Sequence, residues 1–494
     1  MTGWHESRGR EGRAHAGLRS IFGVALGTFV LASLAGSDVR AAEGFRAGAY
    51  AADITPQKFP ISMNGQMVDQ RAMSAFDKLH ARCLVLDDGK APIAFVVVDS
   101  CVVSRAIFDA AKERIQKSTG IRTDRMMMSA THTHTAPAVT GAFQTEPDKE
   151  YVAFLTDKIV EGVERAYKQL EPAQVAWGVG QNTSQVFCRD WIMKPNTAQT
   201  NPFGGTTNDQ VQMHPGYQNP NAIKPTSPVD ADVSILAVKS SSGRPISVLA
   251  NYSMHYAGYG IPAASASADY FGRFSERIKT LVGAESVDPP FVGMLSNGTA
   301  ANMHCYDYSQ PKKPVTIDTV AESVAGTALD VYKSLSFRDD VKFVMQEVKM
   351  RLKLRLPSAD EVARAKEVLS KAQGRVLRDY NEIYARESVL LSEGPPEVEF
   401  KLQALKLGDL GIAAIPCEVF SETGLAIKKG SPLKPTFTIE LANGYNGYLP
   451  PPERHAMGGY ETWRARSSCL EIEAEPKIRA EVLRLLESVA KSSE

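Results

Sequence analysis

A buried strand that runs directly into a pair of histidines constrains this chain more than any other stretch. The segment is Met126-Met-Met-Ser-Ala-Thr-His-Thr-His-Thr-Ala-Pro137. Its first residues are apolar or small and predict a buried strand, and Pro137 ends regular pairing. Because side chains alternate along a strand, His132 and His134 are predicted to project into one cleft. The two imidazoles can then bind zinc or a similar ion, or form a purely structural pair.

Length and charge favour a large globular fold without a polyanionic partner. The chain has 494 residues, 43% of them hydrophobic, and its 56 basic side chains balance 56 acidic ones. A chain of this length can bury one large core or two medium ones. Balanced charge without a long basic run argues against nucleic acid as a partner.

The first 42 residues have the pattern of an export signal. Several arginines precede a short apolar run at 21–34, and Val39-Arg-Ala41 has the small residues of a cleavage site. We predict a signal peptide over residues 1–42, cleaved after Ala41 or Ala42, with an uncleaved anchor as the alternative. Residues 43–494 would then form one exported domain, periplasmic or extracellular. Six scattered cysteines allow one or two disulfides there, but their spacing does not reveal a pairing.

The order of predicted elements favours an α/β fold, a single large layered domain built on a mixed sheet. Apolar runs and helical periodicity alternate along the first half of the chain. Strands are predicted at 45–53, 81–87, 93–99, 175–179, 234–239, 245–251, 291–296, 398–407, 411–415 and 437–441. Helices are predicted at 104–118, 149–170, 271–281, 319–335 and 476–490, with one long helix or a helical hairpin at 358–391.

Polar residues appear repeatedly where a predicted strand ends. His255, Glu418 and Tyr448 occupy such positions, as does the turn Asn297-Gly-Thr299. Ligands in α/β proteins gather beyond strand ends, so these segments could converge on the cleft of the histidine pair. Two imidazoles, a carboxylate and an exchangeable fourth position would form a catalytic zinc site, whose chemistry is hydrolysis. The sequence has no GxSxG elbow, no P-loop and no GxGxxG motif, and the Ser-x-x-Lys match at Ser488-Val-Ala-Lys491 lies in the charged C-terminal tail.

Each of these residues also has a structural interpretation. His255 could be a satisfied core histidine, Glu418 could cap a helix that begins near Ser421, and Tyr448 could be a packing aromatic. Cys417 is expected to be an inert buried thiol. The long irregular stretch at 181–230 contains Arg189-Asp-Trp191 and either lines the site or forms a solvated insertion.

Several segments together resemble the neutral, non-lysosomal ceramidase family. Ser129-Ala-Thr-His-Thr-His134 followed by Pro137 is similar to that family's Ala-Thr-His-Thr-His-Ser-Gly-Pro segment. Further similar segments follow in the family's order: the opening strand at 45–56, the core strand at 95–99, the second histidine segment at 251–255, the glutamate segment at 416–418 and the tyrosine segment at 445–460.

The resemblance implies a fold like the neutral ceramidase catalytic domain and a zinc-dependent amidase that cleaves an N-acyl bond by metal-activated water. It implies four zinc ligands: His132, His255, Glu418 and Tyr448. By the same resemblance His134 faces the substrate and polarises or protonates the scissile amide, while Tyr460 and Arg189 hold the carbonyl or the headgroup. The implied partner is a small-molecule or lipid N-acyl amide, with access from a membrane surface left open. The sequence does not fix an oligomeric state.

The chain departs from the family pattern at three places. Thr299-Ala-Ala-Asn-Met-His304 lacks the serine proposed as a nucleophile in the family, so direct attack by activated water is the simpler expectation. Pro450-Pro-Pro452 replaces a run that contains two threonines. The chain is also expected to lack the immunoglobulin-like C-terminal domain of full-length ceramidases. Two alternatives therefore stay open: a zinc esterase or lactonase on the same site, and a non-catalytic exported homologue that binds lipid or glycan.

Overall fold

The apolar runs of the first 300 residues pair into one eight-stranded sheet, which we call the large sheet. The computed structural model describes residues 44–204, 209–372 and 374–492. In spatial order the strands of the large sheet are Val292–Asn297, Pro245–Tyr252, Asp232–Ser240, Glu171–Gln181, Arg46–Asp53, His80–Asp87, Ile93–Val98 and Met126–Ala130.

The large sheet is antiparallel in its middle and parallel at both edges. Met126–Ala130 pairs in parallel with Ile93–Val98, and Pro245–Tyr252 pairs in parallel with Val292–Asn297. Strands buried on both faces are continuous apolar runs. Ile93–Val98 is such a run: alternate residues face the helices on one side and a second sheet on the other.

The second sheet has four strands and packs against the inner face of the large sheet. Its strands in order are Phe343–Lys353, Glu397–Leu407, Leu410–Ala414 and Thr436–Ile439. Phe95 and Met294 of the large sheet share one core with Leu405 and Phe437 of the second. Phe343–Lys353 has no counterpart among the sequence predictions, because polar residues and partial exposure interrupt its apolar alternation.

Helices cover the outer faces of both sheets and complete four layers. The α-helices are Arg105–Thr119, Lys149–Lys168, Asp269–Leu281, Ile317–Ser334, Ala359–Ser370, Tyr380–Ser392, Ser421–Gly430, Pro452–Met457 and Ala474–Lys491. Short 3-10 helices span Thr123–Arg125 and Tyr460–Thr462. The segment predicted as one helix or a hairpin at 358–391 is a hairpin. The fold class is therefore the predicted one, a layered α/β domain with a large mixed sheet.

Short strand pairs tie the connecting segments together. The pairs are Ile61–Met63 with Gln70–Ala72, Ser74–Ala75 with Ser265–Ala266, Phe187–Cys188 with Met303–His304, and Glu418–Val419 with Tyr448–Leu449. Asp190–Met193, Val211–Met213 and Ala222–Pro225 form a three-stranded sheet. The stretch at 181–230 is thus ordered wherever it is described.

Sheet twist explains how two distant strand ends meet. Met126–Ala130 and Pro245–Tyr252 are six places apart and run in opposite directions along the sheet. A twist of about 20–25° per strand pair accumulates to about 120–150° over six steps, which turns the two carboxyl ends toward the same side. Val292–Asn297 also contacts Met126–Ala130, so the sheet curls until its edges approach. The loops that follow the two strands therefore come together.

Two further expectations concern cysteines and membrane spans. All six cysteines lie among the described residues as buried free thiols, so the disulfides that the sequence allowed are not formed. No described helix is both long enough and apolar enough to cross a bilayer. The signal peptide predicted over residues 1–42 lies outside the described residues.

Candidate metal centre and its cavity

A backbone turn, and not strand alternation, groups the histidine pair. The strand ends at Ala130, and His132 adopts a left-handed backbone with φ of 71°. Its amide donates to the Ser100 carbonyl at 2.9 Å, which fixes the turn. The His132 and His134 rings nevertheless meet, with centroids 4.9 Å apart and Nε2 atoms 3.4 Å apart. His132 and His134 lie together as predicted. They are grouped by this turn and not, as predicted, by the alternation of side chains along a strand.

His255 joins this pair from the far side of the large sheet. It follows the strand Pro245–Tyr252, and its ring centroid lies 4.5 Å from that of His132 and 4.8 Å from that of His134. The Nε2 atoms of His255 and His134 are 3.0 Å apart. His255 is buried, but it belongs to a cluster of three imidazoles and is not an isolated core histidine.

Glu418 faces the histidines from a two-residue strand that follows the strand Leu410–Ala414 of the second sheet. Its short strand pairs in parallel with that of Tyr448, and the two residues are in register. Its Oε2 lies 3.2 Å from His132 Nε2, and its Oε1 accepts a hydrogen bond from the Tyr445 hydroxyl at 3.1 Å. The helix Ser421–Gly430 has Phe420 at its N-cap and no side-chain cap, so the alternative role of Glu418 as a helix cap is wrong.

Burial and charge act in opposite directions on His132 and Glu418. Burial would lower the pKa of His132, but the facing Glu418 and Cys101 outweigh it and raise that pKa well above its usual value. Burial would raise the pKa of Glu418, but His132 and Arg189 together lower it. The two side chains therefore form a buried ion pair in this arrangement.

The donor set has the chemistry of a metal centre. Ligand atoms of His132, His255 and Glu418 all lie within 4.8 Å of one another. A second such group combines Cys101 with His132 and His134. Although Glu418 Oε2 is close to His132 Nε2, it has no hydrogen bond of good geometry within the described residues. Two imidazoles and a carboxylate with one unsatisfied oxygen fit zinc.

Hydrogen bonds to the ring nitrogens define which atoms are free. His132 Nδ1 lies 2.8 Å from the Cys101 carbonyl oxygen, to which it donates, so its Nε2 faces the cluster. Arg189 Nη1 lies 3.2 Å from His255 Nδ1. Because a guanidinium has no acceptor atom, that nitrogen of His255 must accept, and its ring proton then lies on Nε2. Coordination through His255 Nε2 therefore requires Arg189 to turn away.

Arg189 occupies the centre of a buried charged group. Its Nη2 donates to the Tyr448 hydroxyl at 3.2 Å and to Glu461 Oε1 at 2.9 Å. Arg189 and Glu461 are both almost fully buried, and an isolated charge would be strongly disfavoured there. Of the two interpretations of the stretch at 181–230, the site-lining one is therefore correct at Arg189.

A cavity of about 50 Å³ opens onto this cluster. Its wall includes Tyr460, whose ring centroid is 5.8 Å from that of Tyr448. Val102 and Phe143 give the cavity an apolar side. The structure brings all seven residues named from the sequence into or against one cluster: His132, His134, Arg189, His255, Glu418, Tyr448 and Tyr460.

Sequence reasoning missed four groups that support the cluster. Tyr445 binds Glu418, Glu461 binds Arg189, the Cys101 carbonyl accepts from His132, and Gly65 packs against the His134 ring. Tyr445 begins the tyrosine segment at 445–460, so it could have been proposed from the sequence as a site residue. The other three act through a backbone atom, a buried ion pair or the lack of a side chain, for which no sequence pattern exists.

The segment that lacks the family serine is engaged in structural hydrogen bonds. Asn302 donates from Nδ2 to Ser227 at 2.8 Å and to Glu422 at 3.0 Å. Its Oδ1 accepts from the Ser421 amide at 3.0 Å. Asn302 therefore joins two loops beneath the cluster.

Comparison with known proteins identifies the family. Residues 45–305, more than half of the chain, match the family described as neutral/alkaline non-lysosomal ceramidase, N-terminal. The chain belongs to this family. As a ceramidase-family member it is a ceramidase-like hydrolase, and the resemblance inferred from its motifs is confirmed.

Two solved structures share the fold of this ceramidase-family chain. One is the neutral ceramidase from Pseudomonas aeruginosa, with a TM-score of 0.66 and 15% identity over 90% of this chain and 75% of that one. The other is described as a ceramidase complexed with C2, with a TM-score of 0.64 and 15% identity over 91% of this chain and 75% of that one. At this identity the comparison establishes the architecture.

Proposed function

We propose that this ceramidase-family hydrolase is a zinc-dependent amidase that cleaves an N-acyl amide bond. The observation that carries the proposal is the convergence of three imidazoles and the Glu418 carboxylate on one cavity. That donor set suits a catalytic zinc ion, and the family suits an acyl amide substrate.

The proposed ligands are His132, His255, Glu418 and Tyr448. The Cys101 carbonyl orients His132, and the Tyr445 hydroxyl engages one oxygen of Glu418 and leaves the other free. Tyr448 is in register with Glu418, which supports its place as the fourth ligand. Zinc held by these residues would supply a Lewis acid able to activate water at neutral pH.

Arg189 and Tyr460 are proposed to bind the substrate carbonyl. A guanidinium released from His255 Nδ1 can donate a hydrogen bond from Nη1 to an oxygen that gains charge during the reaction. Its ion pair with Glu461 would hold it close to the cluster. Tyr460 lies in the same cavity wall and adds a hydroxyl donor.

His134 is proposed to polarise or protonate the scissile amide. Burial, followed by the charges of His132 and Arg189, lowers its pKa well below the usual value, so it is neutral at neutral pH. Its Nε2 faces the other imidazoles at 3.0 and 3.4 Å. A neutral imidazole at that place can shuttle a proton between the attacking and leaving groups.

The apolar side of the cavity supports a lipid acyl group as part of the substrate. Phe143 borders the cavity and belongs to an apolar cluster with Leu377, Tyr384 and Trp463. The Phe143 side of the cavity, backed by this cluster, could contact a chain of methylene groups. We further propose that residues 43–494 act as one exported hydrolase domain that meets its substrate at a membrane surface.

A panel of matched substrates tests the proposal. Zinc-loaded protein is expected to hydrolyse long-chain N-acyl amides, and chelation followed by zinc addition should abolish and restore turnover. Turnover of acyl esters or lactones alone would instead establish the esterase alternative. Bound zinc without turnover of any member would establish the non-catalytic alternative.

A further inference from the structure

A lysine that the proposed mechanism does not use lies in the protein interior. Lys112 belongs to the helix Arg105–Thr119, and its side chain is fully buried. Its Nζ donates to Asn443 Oδ1 at 2.7 Å, which is its only hydrogen bond among the described residues. Burial lowers the pKa of its ammonium to about 8, so the group is charged at pH 7. A buried charge with so little compensation costs stability, and such groups concentrate at functional sites.

Asn443, the partner of Lys112, is fixed on three sides. Its backbone is left-handed, with φ of 64°, a conformation that asparagine tolerates better than most residues. Its amide donates to the Met128 carbonyl at 2.7 Å, and its Oδ1 also accepts from the Met128 amide at 3.4 Å. Its Nδ2 donates to Gln403 Oε1 at 2.7 Å. Asn443 therefore joins the helix of Lys112, the large sheet and the second sheet at one point.

Backbone pairing links this point to the strand of the histidine pair. Met126–Ala130 is the edge strand of the large sheet, and it leads directly to His132. The Ala130 amide donates to the Leu441 carbonyl at 3.3 Å, so residues 441–443 pair along that edge. The position of these residues along the strand therefore sets where the following segment begins relative to His132.

The tyrosine segment follows Asn443 at once. Its far end is held by Tyr448, which pairs in register with Glu418. Tyr445, at the near end, donates its hydroxyl to Glu418 Oε1 at 3.1 Å. Because Tyr445 is two residues from Asn443, a displacement of Asn443 would move this hydroxyl more than it moves the paired Tyr448. Asn443 is thus the near anchor of the group that orients the proposed carboxylate ligand.

We propose that Lys112 is a positioning residue of the metal centre: its ammonium fixes Asn443, and Asn443 keeps the Tyr445 hydroxyl on Glu418. A role in stability alone does not account for the lysine, because an apolar side chain of similar length would fill the same space without the cost of burying a charge. The proposal rests on the zinc site proposed above.

Lys112→Met keeps an unbranched side chain and removes the ammonium. Hydrogen exchange of the segment 441–449 should become about tenfold faster, because Asn443 loses a bond that fixes it, while the strand Ile93–Val98 should exchange as in wild type. Zinc affinity, measured by competition with a chromogenic chelator, should fall about tenfold, as expected for a group that orients a ligand. The visible spectrum of the cobalt-substituted protein should change with it.

Lys117→Met is the matched control, because Lys117 is an exposed lysine of the same helix. It should leave local exchange, zinc affinity and the cobalt spectrum as in wild type. A double variant shows whether Lys112 acts through Tyr445. In a Tyr445→Phe background, Lys112→Met should lower zinc affinity no further, because the contact that it supports is already lost. Losses that multiply, or wild-type zinc affinity in folded Lys112→Met, would overturn the proposal.

Hydrogen exchange separates failure of this proposal from failure of the zinc function, because it needs neither metal nor turnover. If wild type binds no zinc, the zinc function fails. Faster exchange at 441–449 in Lys112→Met then still supports the anchoring of the segment by Lys112, and unchanged exchange overturns it. Asn443→Gly keeps the left-handed backbone but removes the acceptor of Lys112, so it carries the same expectations if Lys112→Met does not fold.

Discussion

Two hydrogen bonds determine which atoms of the histidine cluster remain free for a metal. The Cys101 carbonyl engages His132 Nδ1, and the Tyr445 hydroxyl engages Glu418 Oε1 at 3.1 Å. Groups that orient a ligand in this way affect metal affinity although they do not touch the ion. Neither residue was named as a functional residue from the sequence.

Tyr445→Phe tests this orienting effect. Without the hydroxyl, Glu418 can rotate and offer either oxygen, so we expect zinc affinity to fall by about 10- to 100-fold. Competition with a chromogenic chelator measures the affinity. Tyr167→Phe, on the half-buried side of the helix Lys149–Lys168, is the control and should bind zinc as wild type does. Equal affinity in both variants would show that Tyr445 does not orient the carboxylate.

Zinc binding is expected to release a proton from His132. Glu418 raises the pKa of His132 well above 6.5, so the imidazole is charged at pH 7, and coordination through Nε2 removes that proton. Zinc affinity should therefore increase as the pH rises toward this pKa and level off above it. Calorimetry in buffers of different ionisation enthalpy measures the proton count. Binding without proton release at pH 7 would contradict the ion pair.

Gly65 is expected to control the position of the His134 ring. A Cβ at this position would lie 2.5 Å from His134 Cγ, and the backbone φ of 105° already disfavours any side chain. Gly65→Ala should displace the ring and reduce kcat at least tenfold while zinc content stays near that of wild type. Gly89→Ala has similar backbone strain with no atom within 4 Å, and it should retain turnover. Comparable losses in both variants would assign the effect to strain.

At the scale of elements, most strands and helices were predicted from the sequence. The backbone conformations that place the site residues were not. Continuous apolar runs and Gly120, with its φ of 79°, mark the ends of the first hairpin strands and the first helix accurately. Phe343–Lys353 escaped prediction because it is half exposed and mixed in polarity. The left-handed backbone of His132 was not predicted either, because no residue next to it in the sequence requires that conformation.

Glu361, at the start of the first helix of the hairpin, makes two kinds of contact. Ser358 and Glu361 form a capping box for Ala359–Ser370, and Glu361 also binds Arg464 at 2.8 Å. Arg464 and the Ser358 amide lower the pKa of Glu361 to about 2. The contact joins the hairpin to the segment that follows Tyr460.

Glu361→Gln keeps the cap but removes the charge. Because its pKa is depressed in the folded state, the charge stabilises the fold above about pH 4.5 and loses this effect as the pH falls toward 2. Solvent screens this partly exposed pair, so we expect a loss of about 0.5 kcal/mol in unfolding free energy at pH 7. Urea titrations at pH 7 and pH 3 measure it. A difference that persists unchanged at pH 3 would contradict an ionic origin.

At the scale of the whole molecule, the site is a product of sheet curvature. The strands that carry His132 and His255 lie six places apart, and only the accumulated twist brings their ends together. Sequence patterns specify neighbouring pairs, but they do not specify how far a sheet curls. The position of His132, His255 and Glu418 at strand ends suggested that they could converge on one cleft, but only the family resemblance implied that they act, with Tyr448, as metal ligands.

The central claim is that His132 binds zinc while His134 acts on the substrate. The most direct measurement is the zinc content of purified wild type, His132→Ala and His134→Ala beside their turnover of one N-acyl amide. We predict one zinc ion per chain in wild type and in His134→Ala, with turnover only in wild type, and neither zinc nor turnover in His132→Ala. Zinc content far below one per chain in wild type, or equal zinc loss in both variants, would contradict this account.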